Sequence, residues 1–233
     1  MAILKVAQIG HPVLRLVARP VTAEEIASAA FQAFCDDLLE TMDEYDGTGL
    51  AAPQVHASLR VVVLSLDGER EPEFLINPRI EVLTEETSSM MEGCLSIAGM
   101  RARVWRPNHI RVHALDRDGT PKAYELEGFP AVVTQHECDH LDGILYVDRC
   151  DTRTLAFMDE YKRFGPVDEW LAEAELPSDE VDDVDDVEAA HHEADDEDRA
   201  VGDTMFPDEP TNAEITEIAP RLTDDDHTEV ELR

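Results

Sequence analysis

From Val21 to Gly47 the chain runs VTAEEIASAAFQAFCDDLLETMDEYDG, with Ile26, Ala30, Phe34, Leu38 and Met42 recurring every fourth position. That spacing stacks apolar side chains on one face of a helix. Thr22 with Glu25 makes a capping box at its start, and Gly47 is a natural stop. Short runs of β character follow: RVVVLSL from Arg60, EFLINP, RIEVLT and, past Arg101, HIRVHALD and AYELEG. Asp67-Gly68 and Asp118-Gly119 read as turns between them. A second helix is predicted over FPAVVTQHECDHL, which has Pro130 near its start, apolar Phe129, Val132, Val133 and Leu141, and Gly143 just past its end. RTLAFMDEYKRF reads as a further helical run. Strands with helices at both ends predict an α+β domain, with mainly antiparallel sheets packed around the second helix.

The pattern stops near Ala172. Residues 173–233 carry 3 basic and 24 acidic side chains, which is −21 of a total formal charge of −34. A segment such as VDDVDDVEAAHHEADDEDRA has little to bury and repels itself, so a disordered acidic tail is expected over 173–233 behind a folded domain at 1–172. Valines 181, 184 and 187 keep helical spacing, which leaves room for a transient helix on a partner, and His191 and His192 are too weak a pair to define a metal site. A polyanion is a poor partner for nucleic acid or an anionic membrane. Cys35, Cys94, Cys138 and Cys150 are too scattered for a disulfide scaffold, and MAILKVAQIGHPVL has no long apolar run before Pro12. A reduced, cytoplasmic, monomeric protein is expected.

The chemistry is concentrated in QHECDHLDG, residues 135–143. On a helix His136 and His140 lie roughly 40° apart on one face, so both can reach one cation, with Glu137 beside them. Cys138, two residues from each histidine, points to the other side and is expected to be a small buried residue outside the site. Two ligands are not enough, because a catalytic site normally takes a third and keeps one position for water. The third can come from a later acid or histidine, as in HExxH peptidases, or from upstream. Two upstream stretches offer candidates. GTGLAAPQV (Gly47 to Val55) is rich in small residues that permit close backbone approach, and it includes Gln54, an amide able to donate to an oxyanion. EGCLS (Glu92 to Ser96) offers Cys94, whose thiolate suits a transition ion already holding two imidazoles.

In order and in separation, GTGLAAPQV, EGCLS and QHECDHLDG resemble the three signature motifs of the peptide deformylase family. The likeness runs from VAQIGHPVLRLVARPV to about Phe164 and ends before the acidic segment. It implies a bacterial, metal-dependent hydrolase that removes the N-formyl group from the formylmethionine of newly made polypeptides, at or near the ribosome. The implied ligands are Cys94, His136 and His140, with water at the fourth position and Fe(II) as the usual ion; Zn(II), Ni(II) or Co(II) suit the same donors. Glu137 is implied as general base, with the Gln54 amide and the Leu95 backbone N–H as oxyanion donors. The peptide is implied to add as a strand between the backbone near Gly49 and that near Ile97. Met90, Phe129, Val132 and Val133 would line the methionine pocket, Arg101 would meet the peptide, and Arg106 would pair with Asp139 behind the helix. Thr48 departs from the family's usual aliphatic residue. Two rivals remain at this point: a zinc peptidase using only HExxH, for which Cys94 is dispensable, and a retired scaffold acting through its acidic tail.

Overall fold

The computed structural model describes residues 2–66 and 71–167. Near the N-terminus Thr22 accepts from the Glu25 backbone N–H while the Glu25 carboxylate accepts from the Thr22 N–H, closing the capping box that begins α1 (Ala23–Ile26). The single helix expected here is two. Ser28 stands in extended conformation, accepts from the Phe31 N–H and starts α2 (Ala29–Glu44) afresh. The break rotates the buried stripe, which is Phe31, Cys35, Leu38 and Met42 rather than Ala30 and Phe34. Gly47 is not the left-handed residue after the helix; Asp46 takes that role, at φ 52.

Five strands, β1 (Gly49–Ala51), β2 (Val61–Leu64), β3 (Glu73–Val82), β6 (His109–Leu115) and β7 (Pro121–Glu127), form an antiparallel sheet in the order β1-β2-β3-β6-β7. VVVL in β2 is buried at every position because both faces are covered. Val61 and Val63 meet Phe31, Leu38 and Met42 from α2, while Val62 and Leu64 join Ala131 and Leu141 on the opposite side. β6 buries only alternate residues. EFLINP and RIEVLT, expected as separate runs, make one strand with an irregularity between Ile76 and Arg79, where Asn77 stands at φ 54. The Asn77 side chain bonds both the N–H and the carbonyl of Val21, at 2.8 Å each, tying this kink to the approach to α1. The Asp118-Gly119 turn joins β6 to β7, with the Asp116 carboxylate accepting from the Asp118 and Thr120 N–H groups. The Asp67-Gly68 turn lies outside the described residues, as does the acidic segment from residue 173.

A second sheet was not expected as strands: β4 (Thr87–Cys94) and β5 (Ile97–Pro107) pair as a long hairpin, with β8 (Ala156–Phe157) on the far side of β5. TSSMMEGC has no clean apolar alternation, since one face carries Ser88, Met90 and Glu92 toward a polar interior. Between the sheets runs α3 (Phe129–Leu141), buried from Thr134 to Leu141 without interruption. Just past its end lies Gly143, φ 72, where an added Cβ would stand 2.7 Å from the Arg15 carbonyl oxygen. RTLAFMDEYKRF is not one helix; a 3-10 turn (Thr152–Thr154) and β8 precede α4 (Met158–Phe164). No helix among the described residues is long and apolar enough to cross a membrane.

Candidate metal centre and active site

The tip of the β4–β5 hairpin sets the site. Cys94 pairs with Ile97 after a register shift at Gly93, so Leu95 and Ser96 form a two-residue turn that turns the Cys94 sulfur toward α3. There Sγ lies 3.3 Å from His140 Nε2, and Cys94, His136 and His140 present donor atoms all within 4.8 Å of one another. One thiolate and two imidazoles at such separations suit a four-coordinate transition ion with a position left for substrate or water. Burial, with His136 and Arg106 nearby, holds His140 well below the usual imidazole range, so it is neutral and able to ligate.

Glu92, which sequence reading passed over, supports the first histidine: its Oε2 lies 2.7 Å from His136 Nδ1, leaving Nε2 for the ion. Burial opposes charge on His136, but its bonds to Cys94 and Glu92 prevail and push it up to about 10, so ligation through Nε2 releases a proton. Arg106 donates from Nε and one terminal nitrogen to Glu92, at 2.6 and 3.0 Å, and from the other to Asp139 at 2.7 Å. Arg149 closes the chain with two bonds to Asp139, at 2.7 and 2.8 Å. Burial would raise Glu92, yet the bonds from His136 and Arg106 hold it below the usual carboxylate range. Arg106 is 3% exposed, so Arg106→Met should strand the Glu92 carboxylate without its cation and destabilise the fold by about 3–5 kcal/mol. Urea unfolding measures this, and a change under about 1 kcal/mol would show the guanidinium to be replaceable.

A cavity of about 540 Å³ opens in front of these groups. Its walls include Gly49, Gln54, Met90, Cys94, Leu95, Arg101, Phe129, Val132, Val133, His136 and Glu137. Ile97 is different: its side chain is 4% exposed and packs with Val104, Leu145 and Tyr146, so only its backbone can face a ligand. Glu137 passes beside Gly49, where an added Cβ would lie 2.7 Å from its Cγ. Glu137 Oε2 is buried with no hydrogen-bond partner. Burial raises its pKa to about 7, an effect that His136 and Arg106 oppose and Glu92 reinforces. The Gln54 Oε1 accepts from the Ala51 N–H at 2.8 Å, which turns Nε2 toward Ser96 Oγ and Cys94 Sγ, at 3.3 and 3.5 Å. Cys138 lies outside this set. It lines a separate cavity behind α3, with Trp105 and Arg149, and burial pushes its thiol up to about 12.

The sequence model of the family described as polypeptide deformylase matches residues 3–155. The chain belongs to the polypeptide deformylase family. It is 46% identical over 153 residues to the peptide deformylase of Pseudomonas aeruginosa, covering 65% of this chain and 89% of that protein. The crystal structure of the Thermotoga maritima peptide deformylase matches with a TM-score of 0.61 at 38% identity, covering 65% of this chain and 99% of that one. A class I type b peptide deformylase from Acinetobacter baumannii, bound to Met-Ala-Ser, matches with a TM-score of 0.61 at 36% identity, covering 64% and 98%. These deformylases are matched nearly end to end, while the acidic C-terminal third of this chain lies outside the family match.

Proposed function

We propose that Cys94, His136 and His140 hold one divalent transition ion, Fe(II) natively and Zn(II), Ni(II) or Co(II) as substitutes, and that the reaction at this centre removes the formyl group from the N-terminal formylmethionine of new polypeptides. The observation that carries the reading is the upstream sulfur: Cys94, from the tip of the β4–β5 hairpin, meets the HExxH histidines of α3, and an HExxH-only peptidase has no use for it. Such an ion, when bound, supplies Lewis acidity that makes water nucleophilic near neutral pH. Glu137, its Oε2 unpartnered, accepts the proton of the attacking water and returns it to the leaving amine. Water adds to the formyl carbon, the C–N bond breaks, and formate and a free methionine amine leave. The Gln54 amide, held by Ala51, and the Leu95 N–H donate to the oxygen that gains charge as the carbon becomes tetrahedral.

Substrate recognition follows from the strand edges. Among the described strands β1 pairs with β2 alone, so the backbone at Gly49 has a free edge, and Ala98, next to Ile97, lines the same cavity. An extended peptide fits between them through main-chain hydrogen bonds, independent of its sequence. Its methionine side chain packs among Met90, Phe129, Val132 and Val133, with Thr48 on the same wall, and Arg101 meets the peptide further on. Residues 1–172 are the catalytic domain and 173–233 an acidic appendage; the enzyme works as a monomer in the bacterial cytoplasm near the ribosome, where formylated termini emerge. Keeping Cys94, Glu137, Gln54 and His136 on one cavity, with His140 completing the donor cluster, weighs against a retired scaffold. The test is anaerobically purified protein given formyl-Met-Ala, with formate release and metal content measured together. Metal-loaded protein that releases no formate would overturn the reading.

A further inference from the structure

Near its start the chain ties together two segments that the proposed reaction uses. The Ala7 N–H donates to the Gln54 carbonyl at 2.7 Å, and the Ile9 N–H donates to the Ser96 carbonyl at 2.8 Å. Gln54 belongs to the 3-10 turn Ala52–Val55 and Ser96 to the tip of the β4–β5 hairpin, so residues 7–9 bridge two elements that share no strand pairing. N–H groups two residues apart leave the same edge of an extended chain, which lets one short segment hold both. The bridge is anchored from one end. Val6 and Ala7 are buried, and Ala7 joins Val13, Leu14, Ile97 and Tyr146 in one apolar cluster.

Gln8, between these two donors, makes a third contact. Its side chain lines the cavity, and its Nε2 donates to the Leu95 carbonyl at 3.0 Å. A carbonyl accepts only from the nitrogen end of an amide, so the contact fixes which end of Gln8 faces the hairpin tip. Leu95 supplies its backbone N–H to the oxyanion, and such a donor works only when it is aimed to within about 0.5 Å. No side chain of Leu95 can do that aiming. A backbone N–H is aimed by the residues on either side, here Cys94 at the candidate metal centre and the Leu95–Ser96 peptide that Gln8 holds. The other oxyanion donor, Gln54 Nε2, lies against Ser96 Oγ at 3.3 Å. Residues 7–9 therefore grip the backbone carbonyls of Gln54, Leu95 and Ser96, on which both donors depend. Gln8 is itself exposed, so replacing it leaves the core untouched.

We propose that residues 7–9 form a strap that sets the spacing of the two oxyanion donors, with Gln8 as its positioning residue, aiming the Leu95 N–H by holding the carbonyl of the same residue. The proposal rests on the deformylase reading and extends it to what positions the donors. Gln8 acts through Leu95 and touches no reacting atom. The formyl oxygen gains its charge only as the carbon becomes tetrahedral, so losing Gln8 costs kcat and leaves KM alone.

The test uses the metal-loaded full chain with formyl-Met-Ala-Ser as substrate, the product Met-Ala-Ser as a ground-state ligand, and N-phosphoryl-Met-Ala-Ser, whose tetrahedral anionic phosphorus imitates the addition step. Gln8→Met, similar in size but without a donor, should lower kcat about three- to ten-fold at unchanged KM and metal content. It should weaken the phosphoryl peptide by the same factor and leave Met-Ala-Ser binding as in wild type. Gln8→Ala should match Gln8→Met, because the hydrogen bond and not the bulk of the side chain is what counts. Gln8→Lys, which returns an N–H donor of similar reach, should bring kcat back to within about two-fold of wild type. An unchanged kcat in Gln8→Met, a rise in KM, a loss of metal, equal weakening of both peptide ligands, or no rescue by Gln8→Lys would overturn the assignment. A wild-type enzyme inert on formyl-Met-Ala-Ser would instead overturn the deformylase reading, and the strap's role with it.

Discussion

Cys94→Ala is expected to abolish both metal retention and formate release, lowering activity on the order of a thousand-fold or more while the protein stays folded. The sulfur sits at a hairpin tip, 3.3 Å from His140 Nε2, and no other described cysteine, aspartate or glutamate joins His136 and His140 in a candidate metal group. Removing it leaves two imidazoles, too few to hold a catalytic ion against dilution and chelators. The fold should survive because Cys94 is only partly buried, at the edge of the cluster formed by Leu14, Ile97, Val104 and Tyr146. Cys138→Ala is the matched control: its sulfur lies in the separate cavity behind α3, and metal content and kcat should be near wild type. Elemental analysis and formate release on both variants decide the matter. A Cys94→Ala protein that keeps its metal and its activity would return the site to an HExxH-only centre.

Glu137→Gln should behave in the opposite way with respect to the metal. The amide is nearly isosteric with the carboxylate and fits beside Gly49, so the ion should be retained, but it cannot accept a proton. A drop in kcat of about 10²–10⁴-fold with little change in KM is expected. Stability should not fall, since burial already disfavours the charged form of Glu137 and raises its pKa to about 7. Steady-state kinetics, metal analysis and thermal unfolding on one preparation separate the outcomes. Loss of activity through loss of metal would make Glu137 a structural support of the centre and remove it from the proton-transfer step.

The ease of reading differed by element for physical reasons. α3 was legible because its marks are local: Pro130 at the start, two histidines one turn apart and Gly143 at the end. β6 was legible because half-burial writes alternation into HIRVHAL. β4 and β5 carry no such signal, for their inner face holds Glu92 and Arg106, charges that are buried only because each finds the other. The same blindness hid Glu92 as the partner of His136. Its only local mark is its place in EGCLS, two residues before the cysteine. Ser28 was overlooked because the apolar spacing continues through it, although its hydroxyl caps a new helix. RTLAFMDEYKRF misled because β8 needs the edge of β5 to exist as a strand.

By itself, the sequence determined the residue types of the centre, the helix that carries two of its ligands and the mixed architecture around it, since these follow from spacing along one chain. Only the tertiary structure decided that Cys94, 42 residues before His136, faces the histidines while Cys138, between them, faces away. It also decided which carboxylate orients His136, which stays unpartnered, and that the chain returns after α3 so that Met158 lines the cavity. Those are relations between distant segments, set by how two sheets close over one buried helix, and no local periodicity encodes them.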